Sequence, residues 1–107
     1  MCKYLVTITV QDKLYQSEND SLVCVRCKPS EIVDISRKIA RNWIPNSHFS
    51  GGVVHMYLDK NNYRSVWVGA IEPLTDGYYA VMSQYLPEYD TVKNDGTFLD
   101  KLSASTR

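Results

Sequence analysis

The chain has no long hydrophobic run, no excess of charge of either sign and too little cysteine for a disulfide framework. Its longest nearly uncharged stretch, Ser65 to Ile71, is far below the roughly 18–20 apolar residues that cross a bilayer, which excludes a spanning helix by sequence. The opening Met1-Cys2-Lys3-Tyr4 lacks the basic, apolar and small-residue regions of a secretory signal, so export is not expected. Twelve Lys and Arg balance twelve Asp and Glu, leaving no overall field to hold nucleic acid or an anionic membrane non-specifically. Three cysteines, Cys2, Cys24 and Cys27, are an odd set that suits a reducing compartment, and a cytoplasmic location is expected. An HExxH, an EF-hand loop, a GxSxG, a Walker sequence and usefully spaced carboxylate pairs are all missing.

What remains is 107 residues, 44% of them hydrophobic, a length and composition suited to one globular domain with one core. From Lys3 to Val10 the row KYLVTITV alternates in β-branched and aromatic residues, and SLVCVRCK from Ser21 to Lys28 repeats the same two-residue rhythm. Both predict strands, hairpinned to each other. The period changes at Pro29-Ser30. Ser30 is a candidate N-cap and Pro45 forbids continuation, framing a helix over Glu31 to Trp43. Ile32, Ile35, Ile39, Ala40 and Trp43 share one stripe of that helix, with Asp34, Arg37, Lys38 and Arg41 opposite. NSHFSGG, Asn46 to Gly52, predicts a loop. Val53 to Leu58 and Tyr63 to Ile71 predict a second hairpin.

The segment after Pro73, LTDGYYAVMSQYL, carries both signals. Tyr78, Val81, Met82 and Tyr85 fit helical spacing, whereas Asp76-Gly77 before a tyrosine-rich run fits a strand, which is the preferred reading. Beyond residue 88 the composition turns polar. The expectation is an α+β domain over 1–88, mainly antiparallel in the order β-β-α-β-β-β with one helix on one face, and a polar arm over 89–107. One helix about 20 Å long covers one face of a five-stranded sheet and leaves the other open. Large aromatics from the pairs Met56/Tyr57, Trp67/Val68 and Tyr79/Ala80 are candidates to line it.

The chemistry-bearing residues are few. Cys24 and Cys27 form a CxxC which, with His48 and His55, makes a weak zinc set, because an offset of three on a strand puts the thiols on opposite faces. No metal or cofactor is expected. His48 in its Ser/Gly loop is a weak catalytic candidate, and His55 fits an outer sheet face or an edge. Arg37, Lys38 and Arg41 form a cationic helix face able to contact phosphates. Residues 1–71 carry nine basic and six acidic side chains, and residues 72–107 three and six, so the acidic part is also able to lie against the basic one. Eight Tyr and two Trp against two Phe favour rings with a polar end, the kind enriched at interfaces. The resulting expectation is a non-enzymatic interaction module, homodimeric or bound to a protein partner, that uses Tyr57, Trp67 and Tyr79, with Arg37, Lys38 and Arg41 second. The alternatives are a nucleic-acid binder using that helix face and a small histidine- or metal-dependent hydrolase.

Overall fold

The computed structural model describes residues 1–44, 46–51, 54–59, 61 and 63–93. The two alternating rows become β1 (Cys2–Asp12) and β2 (Ser17–Cys27), paired antiparallel from Cys2 opposite Cys27 to Asp12 opposite Ser17. Asp12 closes the turn, its carboxylate accepting from the backbone N–H of Leu14 at 3.0 Å and of Tyr15 at 3.2 Å. Alternation sends Tyr4, Val6, Ile8 and Val10 to the same side as Val23, Val25 and Cys27, and this side is the core.

A single 3-10 turn, Pro29–Glu31, precedes α1 (Ile32–Trp43). The start differs slightly from the sequence expectation: Ser30 makes no capping bond, and Glu31 instead accepts from the Lys28 N–H at 3.2 Å. Ile32, Ile35, Ile39 and Ala40 are buried against the sheet. Ser36, also buried, satisfies its hydroxyl by donating to the Ile32 carbonyl at 2.6 Å.

The remaining strands are β3 (His48–Ser50), β4 (Met56–Asp59), β5 (Arg64–Pro73) and β6 (Glu88–Asp90). The sheet has six strands in the order β3-β4-β5-β1-β2-β6, antiparallel except for β2 with β6. Three features depart from the sequence reading. The NSHFSGG segment contains the short β3, an edge strand on β4. Tyr89 and Asp90, assigned to the polar arm, are buried in β6, which is held because Cys24 N–H donates to the Pro87 carbonyl and Thr91 N–H to that of Arg26; residues 94–107 of that arm lie outside the described residues. The tyrosine-rich run is a helix, α2 (Asp76–Met82), and not a strand. Thr75 caps it, its hydroxyl accepting from Tyr78 N–H at 3.3 Å, and Asp76 sits favourably in its first turn.

α1 and α2 meet the sheet differently. α1 covers the core side. Tyr79 of α2 packs beside Lys3, whose ammonium lies 5.5 Å from the ring centroid and pairs with Asp76 at 3.1 Å. Lys3 alternates with Tyr4 and Val6, so α2 caps one corner of the side away from α1. The rest of that side is open, with Met56, Leu58 and Trp67 half-buried and Leu22 exposed. A β-bulge at Gly69 interrupts the β1–β5 register there, where a Cβ would collide with the Thr9 hydroxyl.

Candidate functional site

The α1 stripe that faces away from the core includes Asp34, Arg37, Lys38 and Arg41, since residues three and four apart stack on one side of a helix. Across from it His55, just before β4, and Tyr57, within β4, turn inward, and the two sides enclose a groove of about 680 Å³ that Asn42 also lines. Tyr57 is opposite Val66 of β5, which fixes it on the α1 side, and it is only 6% exposed. Its hydroxyl lies 3.0 Å from His55 Nε2. The His55 ring is packed 4.5 Å from the Phe49 ring and meets Tyr57 edge-on at 5.5 Å, so two rings, from β3 and β4, hold the imidazole in place.

The cations of the groove are gathered on one helix face without a carboxylate partner. Among the described residues Lys3, Arg26 and Arg64 each meet a carboxylate, of Asp76, Asp90 and Asp59 respectively. Among the described residues Arg37, Lys38 and Arg41, like Lys13, Lys28 and Lys93, have no carboxylate within 4.0 Å, and Asp34 on the same stripe pairs with none of them. The end of α1 beside them is closed internally, with Asn42 donating to the Lys38 carbonyl at 2.8 Å and Ser47 to that of Arg41 at 2.9 Å. Toward the start of α1 the groove continues into an apolar lobe formed by Val33, Val54, Val68 and Ile71, with Arg37 and His55 at the junction. The whole is a bipartite channel, apolar at one end and cationic at the other.

Of the residues that the sequence singles out, the structure gathers Tyr57 with Arg37, Lys38 and Arg41. It separates the other two aromatics from them. Trp67 lies on the opposite side of the sheet, across from Met56 and Thr9. Tyr79 is buried beneath α2, where burial first, and then the carboxylates of Glu88 and Asp90, push its phenol well above the ordinary range. The expected aromatic sheet face built from Tyr57, Trp67 and Tyr79 is therefore not formed, because register turns Tyr57 toward α1 and α2 is a helix.

His55, expected on an outer face, shares the inward direction of Tyr57; the i, i+2 spacing of the two was the available signal. His48 is exposed on β3 opposite Leu58, away from the groove. Cys24 and Cys27 occupy opposite sides of β2, and burial raises both thiols, Cys27 to about 11. Among the described residues no group of three or more His, Cys, Asp or Glu is placed to hold a metal ion, and no helix is long and apolar enough to cross a membrane. Comparison with protein families, curated proteins and solved structures gives no match.

The arrangement suits recognition of an anion. Two guanidinium groups one turn apart present planar donor forks that match carboxylate or phosphate, and Lys38 adds a point charge. The His55 imidazole in this arrangement engages a tyrosine hydroxyl at 3.0 Å.

Proposed function

We propose that this α+β domain is a non-enzymatic interaction module that binds an acidic segment of a partner protein in the groove between α1 and β4. The observation that carries the reading is the set of three unpaired cations, Arg37, Lys38 and Arg41, facing the ordered His55–Tyr57 pair. Lys3, Arg26 and Arg64 are neutralised by neighbours, and of the described cations without a carboxylate partner Arg37, Lys38 and Arg41 are the ones that share one helix face and line one groove, where an external carboxylate can reach them together. The lobe of Val33, Val54, Val68 and Ile71 supplies apolar contact next to the charges. From Val33 to Arg41 the helix advances about 12 Å, the length of about four residues of extended chain. The segment that fits places an apolar side chain about four residues from a pair of acidic ones.

A partner protein is favoured over nucleic acid by the mixture of lobes. A polyanion has no use for the valine-lined half, and the formal net charge of the whole chain is zero, which removes the non-specific attraction that supports nucleic-acid binding. The test is calorimetric titration of the protein with a short peptide carrying one apolar and two acidic residues at this spacing, alongside a single-stranded oligonucleotide of equal charge. The expected result is peptide binding that weakens ten- to a hundredfold in an Arg37→Ala, Arg41→Ala variant, since each lost charge-assisted bond is worth about 1.5–3 kcal/mol before salt screening. Equal affinity of the variant overturns the groove. Tighter binding of the oligonucleotide moves the proposal to the nucleic-acid reading.

A further inference from the structure

Cys27 belongs to a CxxC, yet the partner that the fold gives it is not Cys24. The β1–β2 register sets Cys27 directly opposite Cys2, and the alternation that places Tyr4 and Val25 on the α1 side places both of these residues there as well. The type of pair follows from the neighbouring hydrogen bonds. Cys24 N–H and the Arg26 carbonyl are directed to the β6 side, toward Pro87 and Thr91, and the Lys3 carbonyl is directed to Leu74 beyond β5. Cys27 and Cys2, one residue on, therefore turn their backbone groups toward each other. A hydrogen-bonded antiparallel pair holds its Cα atoms about 5.5 Å apart, within the range of roughly 4.4–6.8 Å that a disulfide bridges. Electrostatics agree: burial and then Glu31 raise the Cys27 thiol, with Cys2 adding to them, and beyond its own burial Tyr4 is raised by Cys2 and Cys27 together.

We propose that Cys2 and Cys27 form a reversible disulfide across the open end of the β1–β2 hairpin when the protein meets a small-molecule disulfide such as oxidised glutathione. Access sets the order of events. Cys2 is exposed and Cys27 fully buried, so the Cys2 thiolate attacks one sulfur of the oxidant, forms a mixed disulfide and releases one glutathione thiolate. The Cys27 thiolate then attacks Cys2 Sγ, closes the protein disulfide and expels the second glutathione. The two protein thiols lose two electrons and two protons, and one glutathione disulfide becomes two glutathione thiols.

The geometry also sets the character of the bond. A hydrogen-bonded pair is slightly wide for the Cβ separation of about 3.5–4.5 Å that a disulfide prefers. Closure draws two strand ends together, and the residual strain makes the bridge easily reduced. It ties the first strand to the residue just ahead of the Lys28–Glu31 turn that launches α1.

The experiment is incubation of the full chain with mixtures of oxidised and reduced glutathione, read by intact mass and non-reducing peptide mapping. The expected product has lost two hydrogens, links the peptides of Cys2 and Cys27, and reverts on excess reduced glutathione. Because the buried Cys27 thiol ionises reluctantly, closure of the mixed disulfide accelerates about tenfold per pH unit between roughly pH 7 and 9. Cys24→Ser leaves the bridge in place. Cys2→Ser, a change at an exposed site, prevents both the bridge and the mixed disulfide. Accumulation of a stable glutathione adduct on Cys2 in the wild-type protein, or a bridge that includes Cys24, overturns the proposal.

Discussion

At the residue scale, this protein keeps several ionisable groups on the protonated side of their equilibrium. Burial lifts Cys24, Cys27 and Tyr79 above their ordinary values, and Cys27 reaches about 11 from 9.0. In the window from about pH 9 to 11 the unfolded chain releases the Cys27 proton while the folded chain holds it. The folded state then binds more protons than the unfolded one, and stability falls as pH rises. Tyr79 prolongs the decline above pH 10. Urea denaturation midpoints are expected to drop steadily between pH 8.5 and roughly 10.5, and Cys27→Ala to flatten the first part of the slope. A flat or rising midpoint across that range contradicts the account. The unpaired Arg37, Lys38 and Arg41 belong to the opposite category, groups whose charge the fold leaves available.

At the element scale, what the sequence reveals depends on whether local pattern and tertiary environment agree. β1, β2 and α1 were legible because Val6, Ile8, Val23 and Val25 alternate and Ile32, Ile35 and Ile39 recur at helical spacing. α2 was misread because tyrosine favours strands intrinsically, whereas the outcome rests on the Thr75 cap and on Tyr79 finding a place beside Lys3. Thr75→Ala is expected to cost about 1 kcal/mol by removing the cap, measured by thermal or chemical denaturation; an unchanged stability means the helix is held by packing alone. β3 and β6 have three residues each, too few for a periodic signal. The site was half legible. Helical periodicity placed Arg37, Lys38 and Arg41 together, but which of Met56 and Tyr57 turns inward depends on the pairing of Tyr57 with Val66, and one residue of register reverses it.

At the scale of the whole molecule, the two sides of the sheet have different characters. α1 seals most of one side and leaves a channel at the β4 margin, and α2 caps a corner of the other, leaving Met56, Trp67 and Leu22 accessible to different degrees. Both edge strands are short, which discourages recruitment of a partner by strand addition. The channel is where charge without a carboxylate partner and apolar surface adjoin, and it is there that the proposed recognition by side chains takes place. The most direct test is backbone amide chemical-shift mapping during titration with the apolar and acidic peptide. The account predicts perturbations concentrated on Val33 to Asn42 and on His55 and Tyr57. Perturbations centred instead on Leu22, Met56 and Trp67, or none at saturating peptide, would contradict it.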